Sequence, residues 1–447
     1  MRLLRLALIG AALVAVALAV SLLSPKLPEL TVAPSHAAEE AAPAATPTVE
    51  VVQDREDGLY HVGEPATFTV RLLVGDEPRE ATLSYTLSLD GATVLEQGEV
   101  QAGATPGVVT GTLDEPGILR CTAVTTVGET RVAGLGGAAF DPEQIEPTAP
   151  DPEDFDEFWA AQKALLAEVP MDAQLEERDA PPGTGALYKV SLANVDGRRV
   201  YGWLALPEGG GPAPGLMSFT AAGVSGASSG TAVAGAAQGF VSMHIIHHNF
   251  DVETPAEVTD ALKAGELATY YRDGSESRDT YYFRHVFLGC VRAIDLLTSR
   301  PEWDGEHLTV TGSSQAGGLS LVLAGLDDRV TALAANVPAL CDHTGLQQGR
   351  ASGWPRLIPA DDPFGQVAQV APYFDAVNFA RRFDGPAWVT VGLIDNTCRP
   401  TSVYSAYNVL SGPKTMLVFP RMGHAVPREY GTERRAWIKQ HSGMGEG

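Results

Sequence analysis

Basic residues are scarce in this chain: 31 Lys and Arg stand against 55 Asp and Glu among 447 residues, a formal net charge of −24. That balance excludes nucleic acid, anionic membrane surfaces and polyanionic substrates as partners and leaves neutral ones open. Cysteine is scarcer, with four residues. Four thiols permit disulfides without requiring them, so the fold can rest on an apolar core, for which 45% hydrophobic residues suffice. Cys121 and Cys290 lie in apolar settings as small core residues, while Cys341 and Cys398 each follow a predicted strand and are the pair that could meet. No period of roughly 20 to 50 residues repeats, which excludes a solenoid or propeller.

Long apolar runs are absent with one exception. The first 24 residues, MRLLRLALIGAALVAVALAVSLLS, place Arg2 and Arg5 ahead of an uncharged stretch. This reads as an export signal, cleaved after Ala19 or Ala37, or else kept as a membrane anchor. No cysteine lies beside it to carry a lipid. The expected location is secreted, periplasmic or cell-surface, with the membrane touched only through an uncleaved N-terminal segment. Residues 1–37 are thus signal or anchor, and the Pro- and Ala-rich stretch over residues 25–48 reads as a tether.

From residue 49 to 140 the pattern changes to short alternating runs, ATFTVRLLV, ATLSYTLSLDG, GVVTGTL and ILRCTAVTTV, broken by Gly, Asp and Pro. This predicts a small all-β sandwich of immunoglobulin-like size. It contains no catalytic cluster, so the expectation is that it spaces and caps the next domain, with sugar binding as the alternative. A second linker, IEPTAPDPEDFDEF, puts a boundary near 145. Over residues 150–442, strands such as GLMSFT, GFVSMHII, HLTVT and AWVTVGLI alternate with helices, after an antiparallel pair around Asp196-Gly197. Alternation of this kind predicts an α/β domain with a mostly parallel sheet covered on both faces.

The stretch HLTVTGSSQAGGLSLVLAGL runs from strand into helix through small residues. A sharp strand-to-helix turn that holds a serine at its apex needs such neighbours, because the backbone is strained there and side chains collide. Gly312 and Ala316 bracket Ser314, and the amide of Gln315 at the helix start points at a developing oxyanion. A serine capping the helix is the structural alternative. In the chain order Ser, Asp, His, three histidines follow: His343 comes too early, His441 lies in a polar tail, and His424 follows the strand TMLVFP in a turn able to face the serine. Among the intervening aspartates, Asp395 closes AWVTVGLID, the strand before the one that delivers His424, with Asp342 as its rival. His244, His247 and His248 invite a metal, but on a strand His244 and His248 share a face that His247 opposes, so a three-ligand site would need a bend, and no metal and no cofactor is expected.

Taken together, GSSQAGGLSLVLAGLDDRVTALAANVPALCD, GLIDNTCRPTSVYSAYN and PRMGHAVP resemble the acetyl xylan esterase and cephalosporin-C deacetylase family, carbohydrate esterase family seven, within the α/β-hydrolase superfamily. The resemblance spans roughly residues 150 to 440 and implies a nucleophile at Ser314, an acid at Asp395 and a base at His424. It also implies an acetylated carbohydrate as substrate and a homo-oligomer. The chain departs from the family where a His-Gly-Tyr-type loop is usual: here SFTAAGVSG places the second oxyanion amide near Ala222 and removes a tyrosine from the acetate pocket. The Arg-Gly-Gln signature is replaced by MHIIHHNFD. The expected activity is that of a serine esterase removing small acyl groups. The alternative is a decayed hydrolase serving as a cell-surface carbohydrate-binding or scaffold protein, suggested by the altered loop and Ala316. A peptidase of the same fold is disfavoured, since no propeller-sized gating domain is present.

Overall fold

The computed structural model describes residues 46–445; the expected signal or anchor and most of the tether lie outside them, while Pro47 and Thr48, expected at the tether's end, belong to the first strand. Nine strands open the described chain. Pro47–Gln53 pairs antiparallel with Ala66–Val74, which also carries Glu77–Arg79 and Gly107–Gly111. A second sheet runs in the order Leu59–Tyr60, Thr130–Phe140, Gly117–Val127, Ala81–Leu89 and Thr93–Ala102. Alternation decides the faces: in ATFTVRLLV the residues Ala66, Phe68, Val70 and Leu72 are buried while those between them are half-buried. With Leu83, Leu87 and Cys121 they fill the space between the two sheets.

Two of these strands carry no clear sequence signal, and each has a physical reason. Thr93–Ala102, TVLEQGEVQA, is an edge strand exposed along most of its length, so nothing forces an apolar alternation on it. Thr130–Phe140 contains Gly134, Gly136 and Gly137, residues that weaken strand propensity but here permit close approach. A methyl group on Gly137 would stand 2.7 Å from the carbonyl oxygen of Leu393, in the second half of the chain.

The second half is built on a nine-stranded sheet. In spatial order its strands are Gln174–Arg178, Thr184–Ala193, Arg199–Pro207, Val241–Ile246, Ala213–Phe219, Trp303–Ser313, Ala332–Asn336, Ala387–Gly392 and Lys414–Phe419. The first three and their junction with the fourth are antiparallel; all later pairings are parallel. The Asp-Gly turn joins Ala193 to Arg199 through Asp196 and Gly197, both at positive φ. Helices cover both faces: Tyr282–Thr298 and Gln315–Leu326 pack in the main core with Met217, Val310 and Leu333, while Ser229–Ala236 and Tyr430–Gln440 lie over residues of opposite parity, Trp203, Ala205, Ala334 and Trp388. This is the α/β-hydrolase fold preceded by a β-sandwich.

The apolar core does not stop between the halves. Ile118 and Ala139 of the five-stranded sheet belong to the same buried cluster as Ile145, Ala149, Phe155 and Leu393. The Pro-rich segment near 145 is strapped down as well: Asp342 accepts hydrogen bonds from the amides of Thr148 and Ala149 and from the Thr148 hydroxyl, at 2.7 to 2.9 Å. All four cysteines are buried free thiols, so Cys341 and Cys398 do not form the bridge their positions allowed. Burial pushes the thiols of Cys121, Cys290, Cys341 and Cys398 up, which keeps them protonated.

Candidate active site

The strand Trp303–Ser313 ends in the sheet interior and the helix Gln315–Leu326 begins two residues on, leaving Ser314 as the single hinge residue. It sits at φ 61° and ψ −124°, a conformation that costs an L-residue on the order of 1 to 3 kcal/mol and persists only where its surroundings enforce it. Those surroundings are visible. The Ser314 amide donates to Asn336 O at 3.0 Å, and its carbonyl accepts from the amides of Gly318 and Ala339, both at 3.0 Å. A side chain on Gly312 would overlap Ala316, so the methyl group at 316 is accommodated because 312 has none. Ala316 is therefore compatible with the elbow rather than a mark of decay.

The elbow directs the Ser314 hydroxyl at an imidazole. His424 Nε2 lies 2.8 Å from Ser314 Oγ, and His424 Nδ1 lies 2.7 Å from Asp395 Oδ2. The nitrogen facing the carboxylate carries the proton, which leaves Nε2 free to accept the serine's. Asp395 is fully buried, and its other oxygen accepts from the amides of Thr397 and Cys398 at 2.7 and 3.0 Å. The acid is thus fixed on both sides, by its own turn and by His424. The two turns are also stitched together through the backbone, Ile394 N to Met422 O at 3.3 Å.

The rivals are accounted for by their contacts. Asp342 is committed to the strap at Thr148 and Ala149 and to the Ser405 hydroxyl at 2.9 Å. His343 is buried, with its amide on Asp375 Oδ2 at 2.6 Å, and burial lowers its pKa to about 4. His441 stacks on Trp437 at the end of the last helix. Among the described residues, one group of His, Cys, Asp or Glu side chains brings its ligand-type atoms within 4.8 Å of one another: Asp395, Cys398 and His424. His244, His247 and His248 form no such group. Each faces a hydroxyl of its own, on Ser218, Thr220 and Tyr282 respectively, at 2.6 to 2.9 Å.

Gln315 and Ala222 are the amides expected to hold an oxyanion. Gln315 opens its helix, where an amide has no carbonyl one turn back to bond. Ala221 and Ala222 are exposed in the loop after Ala213–Phe219. What sequence reasoning missed is the group that ties these two segments together. The Tyr270 hydroxyl donates to Gln315 Oε1 at 2.5 Å and accepts from the Gly223 amide at 3.2 Å. His248 holds the same glycine by its carbonyl: Nε2 donates to Gly223 O at 3.1 Å, so Nδ1 accepts from the Tyr282 hydroxyl at 2.6 Å. Burial lowers the His248 pKa to about 4, and an uncharged ring fits that donor and acceptor pattern. Tyr270 and Tyr282 sit in a Tyr- and His-rich stretch whose only sequence signal is composition.

A strained serine at a strand-to-helix elbow, an imidazole bonded to it and a buried carboxylate behind that imidazole, on a mostly parallel sheet, define a carboxylic ester hydrolase of the α/β-hydrolase fold. Comparison with known proteins agrees. Residues 143–441 match the family model described as acetyl xylan esterase (AXE1). The acetyl esterase Axe7A of Xylanibacter ruminicola is 32% identical over 396 residues, covering 87% of this chain and 89% of that protein. Two solved structures align with 67% of the chain. The acetyl xylan esterase from Paenibacillus sp. R4 is covered over 98% of its length at TM-score 0.58 and 28% identity. Acetyl xylan esterase 1 from Thermoanaerobacterium sp. JW/SL YS485 is covered over 97% at TM-score 0.57 and 25% identity. The chain belongs to the acetyl xylan esterase family.

Proposed function

We propose that this esterase removes small acyl groups, acetyl foremost, from carbohydrate such as acetylated xylan or its oligosaccharides, outside the cytoplasm. Ser314 Oγ attacks the ester carbonyl while His424 Nε2 takes its proton. The tetrahedral oxyanion rests on the amides of Gln315 and Ala222, and Asp395 stabilises the imidazolium. His424 then returns the proton to the departing sugar oxygen. Water repeats the sequence on the acyl-enzyme and releases the acid. The observation that carries this reading is the unbroken chain from Ser314 through His424 to Asp395, at 2.8 and 2.7 Å. The substrate class is supported by the names of the relatives, and the location by the signal-like residues 1–24.

The test is acetate release from acetylated xylan, from acetylated xylo-oligosaccharides and from an aryl acetate. Activity on all three supports the reading. Activity on the aryl ester alone would move the natural substrate away from carbohydrate, and none on any would restore the scaffold alternative.

A further inference from the structure

The N-terminal sandwich carries a buried charge that its own fold does not require. Arg120, on the strand Gly117–Val127, is 1% exposed, and so is its side-chain partner Asp90, 3.0 Å away just beyond the strand Ala81–Leu89. Removing such a pair from water is costly and often gives less stability than an apolar replacement, so its presence calls for another role. The guanidinium points out of the sandwich into the hydrolase half. Arg120 Nη2 lies 3.0 Å from Asp395 O and 3.2 Å from Leu393 O, and Nη1 donates to Asn396 Oδ1. These are the carbonyls of the turn that carries the buried carboxylate.

Asp90 grips the other end of that turn. Its Oδ2 accepts from the amide and hydroxyl of Thr401, at 3.1 and 2.6 Å, at the start of the helix Pro400–Asn408, and its carbonyl accepts from Arg399 Nη1 at 3.2 Å. Residues 393 to 401 are thus bracketed by one arginine and one aspartate of the sandwich. Gly137, on the neighbouring strand, lets the sandwich backbone come within van der Waals range of Leu393.

We propose that the sandwich is a positioning element of the active site: Arg120, seated on Asp90, holds the Leu393–Asn396 turn so that Asp395 presents Oδ2 to His424 Nδ1. This rests on the esterase reading. Arg120 touches neither substrate nor the reacting atoms and acts through Asp395. It therefore affects turnover rather than binding, and only while Asp395 is there to be positioned.

The experiment measures kcat and KM on an aryl acetate for the full chain, for Arg120→Met and Arg120→Lys, and for Arg120→Met in an Asp395→Ala background. A displacement of about 1 Å at a catalytic group can cost on the order of 10²-fold, so Arg120→Met should lower kcat by about 30- to 100-fold with KM changed less than about threefold. Arg120→Lys should recover part of the loss. In the Asp395→Ala background the same substitution should cost less than about threefold, because the group it positions is gone. Arg292→Met is the control for burying one fewer guanidinium: Arg292 is also enclosed but donates to Leu166 O and Val169 O, so kcat should hold.

Should Arg120→Met fail to fold, Gly137→Ala keeps every charge and presses first on Leu393, and it should show the same split. An Arg120→Met kcat within about threefold of wild type, or an equal loss with and without Asp395, overturns the proposal while leaving the esterase intact. A wild-type protein without esterase activity overturns both.

Discussion

Replacing Tyr270 by Phe deletes one oxygen and orphans two partners, the Gly223 amide and Gln315 Oε1. Gln315 is fully buried and its Nε2 already lacks a partner, so its carbonyl oxygen cannot turn to water; Gly223 is half-buried, and water can reach its amide. An unsatisfied buried group costs about 1 to 3 kcal/mol, so one full orphan and one hydrated one should lower stability by about 2 kcal/mol. The effect on catalysis comes from what the hydroxyl spans. It links the loop bearing Ala222 to Gln315, whose amide is the proposed oxyanion donor. Outright loss of one oxyanion donor costs on the order of 10²- to 10³-fold in kcat, and loosening one should fall below that, at about 10- to 30-fold. Steady-state kinetics on an aryl acetate read the rate, and a thermal melt reads the stability. Gln315→Leu, which removes the acceptor and keeps the backbone amide, should give a similar loss, and the double variant should be clearly less than additive. A Tyr270→Phe enzyme that melts earlier but turns over within about twofold of wild type would refute the argument, since the hydroxyl would then be structural alone.

Ser314→Ala should abolish hydrolysis, by roughly 10⁴- to 10⁶-fold, with the melting curve preserved, whereas Ser313→Ala should be mild; the reverse result would shift the elbow by one residue. If Ala222 stands where the family places a tyrosine, propionyl and butyryl aryl esters should react at rates comparable to acetyl, and Ala222→Tyr should restore a preference for acetyl. A steep fall beyond acetyl that the tyrosine does not change would assign the pocket wall to other residues. The buried histidines set the acid limit. Burial lowers His244, His248 and His343 to about 4, His285 to about 3 and His247 well below its usual value. Unfolded chains bind these protons near pH 6.5 and the folded chain does not, so stability is full above that pH and falls as pH drops toward 4. At pH 5 the loss is about 2 kcal/mol per histidine. Asp375, raised by burial to about 6, works in the opposite direction, as do Asp90 and Asp342, also raised by burial, so these three carboxyls offset part of what the five histidines lose. Melting temperature measured from pH 7.5 to 4.5 should fall monotonically; a flat profile would mean water or counter-charges reach these rings.

Much of the site was legible because its chemistry constrains the sequence locally. A serine forced to φ 61° needs Gly312 beside Ala316, and that need shows in five consecutive letters. Asp395 and His424 were found because a loop at the carboxyl end of a parallel strand is where such groups can meet the serine. Tyr270, Arg120 and Asp90 were not found, and the reason is common to all three. Each makes its contacts across a long separation in the chain, 45 residues from Tyr270 to Gln315 and 275 from Arg120 to Asp395, through two or three hydrogen bonds that leave no periodic or spacing signal. The strand Thr130–Phe140 was hidden for a related reason: its glycines answer to Leu393, a neighbour far along the chain, and not to strand propensity.

The unbroken core linking Ile118 and Ala139 to Ile145 and Leu393 has a consequence for inheritance. A module joined by a polar linker can be exchanged between genes one at a time, because neither side has shaped itself to the other. Here a recombination point placed between the sandwich and the hydrolase would strip apolar cover from one partner and leave a buried guanidinium facing the wrong surface on the other. The two parts must therefore travel and change together, each substitution at the seam being judged by both.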